Sequence, residues 1–497
     1  MVAASPHAIV IGSGFGGLAA AIRLGARGYR VSVFERLDAP GGRAYVYEQD
    51  GFRFDAGPTI ITAPFLLREL WQLCGRCLED DVELLPLSPF YRIRFDDGET
   101  FDYSGDPRAM REEVARFSPA DVDGYDRFMS ISDDIYEVGF EQLGHVPFDS
   151  WRDMMRILPK MLRLRSHRSV YDLVAREIQD PRLRIIFSFH PLLIGGNPFT
   201  ATCIYALIAS LERRWGVYFA KGGTGSLIKG MVALLREQGN SIHFNHEVES
   251  IVVRDGVARG VRLSDGREVE SDVVVSNADA AWTYLHLVPQ ASRKHWSNRK
   301  LAKARYSMSL FVWYFGTRRS YPDVAHHTLL LGPRYKELLT DIFDRKVLAE
   351  DFSLYLHRPT ATDESLAPAG CDAFYVLSPV PHMQSGIDWR TAAEPYRRAI
   401  ARRLSDTLLP GLQESVVTSR MLTPLDFQNR LQSINGAAFA MEPVLTQSAW
   451  FRPHNRSEEI TNLYLVGAGT HPGAGVPGVL SSARVLDSVV PDATAFS

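Results

Sequence analysis

The chain has 497 residues, 45% of them apolar and 23% charged, which is ordinary for a globular protein and too long for one simple core. A formal net charge of -3 excludes a generally basic nucleic-acid binder; four cysteines exclude a disulfide framework and fit a reducing, cytoplasmic location. No run of ~18 uninterrupted apolar residues is present to span a bilayer, and Ala8–Ile11 is too short an apolar run for a secretory signal.

The opening reads as a strand at Ala8–Ile11, a glycine turn Gly12-Ser13-Gly14-Phe15-Gly16-Gly17, a helix over Leu18–Arg27, and a second strand over Tyr29–Phe34 that ends in Glu35. Gly12 permits the tight turn, Gly14 lets backbone N–H groups approach a pyrophosphate, and Gly17 lets helix and strand pack closely. The helix then points its positive N-terminus at the phosphates. Glu35 is placed to accept from a ribose hydroxyl, a charge-assisted bond worth roughly 1.5–3 kcal/mol. A carboxylate there would repel a 2′-phosphate, which leaves NAD or FAD rather than NADP.

Next come the turn Ala39–Arg43 and two short strands, Tyr45–Glu48 and Phe52–Asp55. Cys74 and Cys77 fall in an apolar, helix-like stretch, Leu66–Leu78, and are expected as buried thiols; no second CxxC completes a zinc site. Residues 108–215 are mostly helix-compatible. Within them, Trp151–Arg168 carries six basic residues (Arg152, Arg156, Lys160, Arg163, Arg165, Arg168) against one acid, Asp153. Trp151, Met154, Met155, Leu158 and Leu162 fall there at helical spacing. Such a stretch suits either an interfacial helix, at about 1 kcal/mol per basic residue near an anionic surface, or a core helix with a solvated basic face.

A second glycine turn and helix follow at Lys221–Arg236, then strands at Ser241–Phe244, Glu249–Arg254, Ala258–Leu263, Glu268–Glu270 and Asp272–Ser276. Residues 280–425 mix helices with strands at Ser309–Phe315, Phe352–His357 and Ala373–Ser378. The end repeats the opening grammar: a strand at Asn462–Val466, the glycine-rich run Gly467–Gly478, and a helix. A second strand–loop–helix of this kind can bring N–H groups and a helix dipole to another part of the same ligand. On a flavin it would stabilise the charge that reduction places on the ring, so FAD is favoured over NAD.

The combination then becomes specific. Gly12–Gly17 with Glu35, Gly41-Gly42-Arg43-Ala44, Phe54–Thr59, Ser188-Phe189-His190, Gly195–Phe199, Gly222–Gly225, Gln447–Asn455 and Gly467–Gly478 resemble the bacterial carotenoid (phytoene) desaturases, within the amine-oxidase-like flavoproteins. The likeness runs from end to end. It implies an α/β fold: a Rossmann-like FAD-binding domain, an inserted α+β substrate domain, and a helical subdomain that associates with membrane. The segments implied are 1–107, 216–280 and 426–497 for FAD, 108–215 for the helical membrane-contact region, and 281–425 for substrate.

By position, the resemblance implies FAD held by Gly12, Gly14, Gly16, Gly17, Glu35, Gly42, Arg43, Gly57, Pro58, Thr59, Gly469, Thr470, Gly478 and Val479. Arg43 is expected to reach the pyrophosphate, and Thr470 stands where related flavoproteins often bind the ribityl chain through aspartate. The implied substrate is a C40 carotene whose transfer into water would cost ~0.8 kcal/mol per CH2-sized unit. Docking on the inner face of the cell membrane follows, with oxygen or a quinone as electron acceptor and oligomerisation open.

Dehydrogenating a CH2–CH2 unit removes a hydride and a proton, so a carboxylate in apolar surroundings is wanted to take the proton or share an allylic cation's charge. Asp153 with Arg152 and Arg156 is the first candidate and Glu442 the second. His190, His454 and His471 read as structural, and no spacing points to a metal. The implied activity is FAD-dependent desaturation of phytoene toward lycopene. Sister activities are a C30 desaturase, a late carotenoid desaturase and an isomerase; a non-redox alternative is a prenyl-binding module of the GDP-dissociation-inhibitor type.

Overall fold

The computed structural model of the chain describes residues 5–148, 152, 155, 159, 164 and 166–496. Its first strand, β1 (His7–Ile11), is buried at every position. It lies parallel between β2 (Arg30–Phe34) and β4 (Val273–Ser276), and the sheet is completed by β3 (Ser241–His243) and β5 (Leu463–Leu465) in the order β5-β4-β1-β2-β3. All its pairings are parallel, so both faces must be covered, and the strand period of two sorts the side chains. Val10, Val31, Val33, Val273 and Val275 face a core shared with helices α1 (Phe15–Ala26), α2 (Thr224–Glu237) and α3 (Val476–Val489). Ile9, Ile11, Phe34 and Val274 face the other way, onto the antiparallel meander 248–270. Segments hundreds of residues apart thus build one nucleotide-binding sheet.

The second sheet has seven strands, in the order 416–422, 309–317, 372–380, 354–357, 327–330, 91–94 and 100–103. Its second strand, Ser309–Thr317, is wholly buried because it is covered on both faces. Phe311, Trp313 and Phe315 pack against the helix Trp389–Thr407, while Leu310, Val312 and Tyr314 face the largest core cluster. The helices Pro107–Phe117, Val122–Tyr136, Val170–Glu177 and Pro181–Ser188 add side chains to that same cluster. Tyr91–Arg94 and Thr100–Tyr103 belong to this second sheet, so the segment boundary expected at residue 107 cuts across it.

The expectation for the cysteines also changes. The helix Pro64–Leu73 ends before the CxxC, and Cys77 is exposed rather than buried; Cys74 is half-buried. In the basic stretch, Trp151, Asp153, Met154, Arg156, Leu158, Lys160, Leu162, Arg163 and Arg165 lie outside the described residues, whereas Arg152 and Met155 are exposed. Among the described residues no helix is long and apolar enough to cross a membrane.

Candidate functional site

At the end of β1 the chain turns through Gly12, whose φ of +87° is the left-handed conformation that disfavours a side chain. A Cβ on Gly17 would lie 1.9 Å from the Gly12 carbonyl oxygen, so α1 is seated directly on the turn. Helix α1 has no side-chain cap and no acidic residue in its first turn. Its free N–H groups and positive end face a cavity lined by Gly12, Gly14, Phe15 and Gly16, which fits an anionic phosphate. Glu35 sits on the same wall, 5% exposed. Its Oε2 accepts from Ser13 N–H and Oγ–H, both at 2.8 Å, and its Oε1 accepts from Leu37 N–H at 2.9 Å. The carboxylate is held rigid, with lone pairs left for a ribose hydroxyl.

The C-terminal run forms the facing wall. Helix α3 also starts without a side-chain cap, at Gly475, and Gly467, Ala468, His471, Pro472 and Gly475–Val479 line the cavity. The Gln447–Asn455 segment braces this loop. Arg452, 1% exposed, donates from Nη2 to the Met441 and Ala468 carbonyls, and Asn455 Nδ2 donates to the carbonyls of Leu465, His471 and Ser482. Thr470 is placed differently from the expectation. Its hydroxyl is fully buried, donates to the Pro453 carbonyl at 2.5 Å, and is not on the cavity wall; nor is Gly469.

Between the two walls, Gly42, Arg43, Gly57, Pro58 and Thr59 all line the cavity. Arg43 donates from Nη2 to Ser433 Oγ at 2.8 Å, and its Nε is buried with no partner. An unsatisfied guanidinium N–H beside an uncapped helix is what a phosphate-bearing ligand would complete. Asp279 lies on the same wall: one oxygen caps Ala281 and Trp282, the other is unpartnered, and burial holds its carboxyl above the ordinary value while Arg43 opposes that shift. Asn277 abuts the positions of Gly14, Gly16 and Gly467. Neither Asn277 nor Asp279 was marked by sequence, because both follow an unremarkable strand and meet the glycine turn only in three dimensions.

The loop 56–59 joins the two sheets. Tyr314 donates to the Ala56 carbonyl at 2.6 Å, Thr224 donates to the Pro58 carbonyl at 2.5 Å, and Thr59 Oγ1 lies 2.6 Å from the Tyr355 hydroxyl. The same cavity is also lined by an apolar arm of Ile186, Phe189, Leu192, Ile208, Leu211 and Leu329, and its volume is about 540 Å³. The dinucleotide cradle and this apolar arm therefore share one cavity. Oligonucleotides and small polar metabolites do not match such walls; an extended hydrocarbon does.

Of three polar groups in or beside this arm, Glu212 and Tyr91 were left unmarked by sequence, which read His190 as structural. Glu212, 1% exposed, lines it from the helix Leu207–Trp215, where the run Leu-Glu-Arg-Arg-Trp looks like a solvated helix face. Tyr91 donates to its Oε1 at 2.6 Å, and His190 Nε2 is 3.2 Å from its Oε2. Burial, and then the Glu212 carboxylate, keep the Tyr91 phenol well above its ordinary pKa, so it stays a donor. The expected second candidate, Glu442, is instead a buried ion-pair partner away from the cavity wall. Arg305 Nε donates to it at 2.7 Å and Thr200 at 3.1 Å, and burial raises its pKa. Of the first candidate, Arg152 is exposed, and Asp153 and Arg156 lie outside the described residues. His326, His327 and His357 bring ring nitrogens within 4.8 Å of one another, with His357 and His326 bonded at 3.1 Å.

A family model described as flavin containing amine oxidoreductase matches residues 15–485. A phytoene desaturase (neurosporene-forming) of Rhodobacter capsulatus is 50% identical over 493 residues, covering 98% of this chain and 94% of its own. A phytoene desaturase (lycopene-forming) of Pantoea ananas is 50% identical over 476 residues, covering 96% and 97%. Among solved structures, cyclohexylamine oxidase from Brevibacterium oxydans matches with a TM-score of 0.61 at 16% identity, covering 99% of both chains, which shows the shared fold.

Proposed function

The chain belongs to the flavin-containing amine oxidoreductases, among the bacterial carotenoid desaturases, and from that premise we propose that it converts phytoene to lycopene or to an intermediate on the way. It is an FAD-dependent oxidoreductase of carotenoid biosynthesis acting on CH–CH bonds. The observation that carries the substrate reading is that the nucleotide cradle, Thr59 and an arm of Leu, Ile and Phe side chains line one cavity. Family membership and the intact turn with Glu35 remove the non-redox prenyl-binding alternative.

Bound FAD supplies acceptance of the hydride that leaves one carbon of the CH2–CH2 unit. The chain supplies position and dryness. The helix ends of α1 and α3 with Arg43 hold the anionic groups of the cofactor, Glu35 holds the ribose, and the loop 56–59 sits where cradle and arm meet. The apolar arm fixes the polyene so that one C–H unit lies at that junction, which is the larger share of the catalysis. Asp153 with Arg152 and Arg156 is carried forward as a group that bears the charge of a developing allylic cation.

Since removing a C40 hydrocarbon into water costs tens of kcal/mol at ~0.8 per CH2 unit, the substrate is taken directly from a bilayer. The basic Trp151–Arg168 stretch is the proposed dock on the inner membrane face. Support comes from exposed Met155 within it and exposed Phe451, which follows Trp450, a side chain packed with Phe148 three residues before the segment. Oxygen or a membrane quinone takes the electrons onward. The test uses purified holoprotein and phytoene-loaded liposomes in air, followed by absorbance of the extracted lipid. A banded visible spectrum is expected, its band positions counting the new double bonds. A colourless extract in air and again with added quinone, from protein that retains FAD and binds the liposomes, overturns phytoene as substrate.

A further inference from the structure

Four carboxylates line the cavity among the described residues: Glu35, Glu212, Glu247 and Asp279. Three of them belong to the nucleotide end. Glu35 is tied to Ser13 and Leu37, Glu247 accepts from Gln432, and Asp279 caps a helix turn beside Arg43. Glu212 alone stands in the apolar arm, on the same helix as Ile208 and Leu211, which line the cavity with it. An isolated carboxylate in such a wall costs several kcal/mol unless it is hydrogen-bonded. Here Tyr91 and His190 provide the partners, one on each oxygen. A hydrocarbon tunnel has no need of this arrangement for binding. It costs desolvation, occupies three fully buried polar side chains, and puts Glu212 on the wall of the cavity the polyene would fill.

We propose that Glu212 is the catalytic base of the desaturation, with Tyr91 and His190 as its positioning residues. One C–H bond of the substrate breaks with its electron pair leaving as hydride to the flavin. On the adjacent carbon the second C–H bond breaks, its proton passes to a Glu212 carboxylate oxygen, and its electron pair becomes the new C=C bond. The substrate is oxidised by two electrons and the flavin reduced by two; the proton on Glu212 and the hydride's two electrons and proton end on the acceptor, oxygen or a quinone, which takes up two electrons and two protons. Tyr91, bonded to the other oxygen, keeps the carboxylate pointed at the arm.

This rests on the desaturase reading, and the test separates the two. Wild-type holoprotein is first shown to colour phytoene liposomes; if it does not, the reading of the substrate fails before Glu212 is questioned. With Glu212→Gln, the flavin absorbance and the binding of a coloured carotene, read from its spectral shift, are expected to match wild type. The kcat is expected to fall ~10²–10⁴-fold, the range of a lost general base, with KM unchanged. Glu212→Asp retains a carboxylate set back from the substrate and is expected to recover part of that loss. Wild-type kcat in Glu212→Gln overturns the proposal. So does a fall in Glu212→Gln that Glu212→Asp does not relieve, or a loss confined to an Asp153→Asn variant made in parallel. If Glu212→Gln does not fold, Glu212→Asp decides: lower kcat at unchanged KM supports the assignment, and unchanged kcat overturns it.

Discussion

Gly17 and Gly12 are pressed together so closely that a methyl group on Gly17 would lie 1.9 Å from the Gly12 carbonyl oxygen. Helix α1 therefore rests on the turn that ends β1, and the distance of its N-terminus from a bound pyrophosphate is set by that contact. Gly17→Ala must lift the helix away. Overpacking of this kind costs about 1–3 kcal/mol, and the displaced N-terminus loses its hold on the cofactor. The purified variant is expected to be pale, with a flavin-to-protein absorbance ratio well below wild type and a lowered Tm. A yellow variant with full flavin content would show that the turn tolerates the shift.

Arg43 is the guanidinium with a buried, unpartnered Nε on the cradle wall. Arg43→Lys keeps the charge but not the planar fork, and Ser433 loses its partner as well. Losing one charge-assisted bond of about 1.5–3 kcal/mol predicts FAD held roughly 10–100-fold more weakly. Flavin release on dilution, followed by fluorescence, measures this directly. Unchanged release would place Arg43 outside the cofactor contacts.

The opening βαβ unit is legible in the sequence because its signals are local: a glycine turn, an apolar strand on each side, and an acid at the second strand's tip. Some element boundaries, Phe52–Asp55 and Glu268–Glu270 among them, coincide with the expectation, whereas the helix expected over Leu66–Leu78 ends five residues early, at Leu73. What escaped depends on long-range assembly. Asn277 and Asp279 reach the cofactor wall only because β4 pairs with β1 across more than two hundred residues of chain. Glu212 hides in a helix whose sequence looks solvated, and only Tyr91, from a distant strand, and His190 reveal it as buried. Thr470 shows the converse error. A hydroxyl at the right position in a glycine run turned inward, to the carbonyl of Pro453.

His326 lies in the buried histidine cluster, with Nδ1 2.6 Å from Thr362 Oγ1, and burial, then Arg358, pull its pKa down to about 3 from 6.5. A histidine that stays neutral in the folded state binds fewer protons than its unfolded counterpart once the pH drops below 6.5. Stability from this group is thus complete above pH 6.5 and is lost as the pH falls toward 3. From pH 6.5 to 5 the loss is about 2 kcal/mol for this residue, at 1.36 per unit. Urea midpoints are expected to fall over that interval, and less steeply in His326→Gln. Equal slopes in the two proteins would mean that His326 titrates normally when folded.

Membrane docking makes the last prediction, and it separates two roles that one helix could play. If Trp151–Arg168 were a core helix with a solvated basic face, removing surface groups would leave vesicle binding untouched. As an interfacial element, it loses about 1 kcal/mol of attraction for each basic residue deleted, roughly a five-fold change in partitioning. Lys160→Ala is therefore expected to weaken sedimentation with vesicles containing anionic lipid by that factor, and to matter little on neutral vesicles or at high salt. Met155→Ala, which removes a 52% exposed apolar side chain, should weaken binding to both vesicle types, because its contribution is burial rather than charge. Flavin content serves as the folding control for each variant. A pair of variants that sediment like wild type on every vesicle would move the dock elsewhere on the surface, with Phe451 and its neighbour Trp450 as the next residues to change.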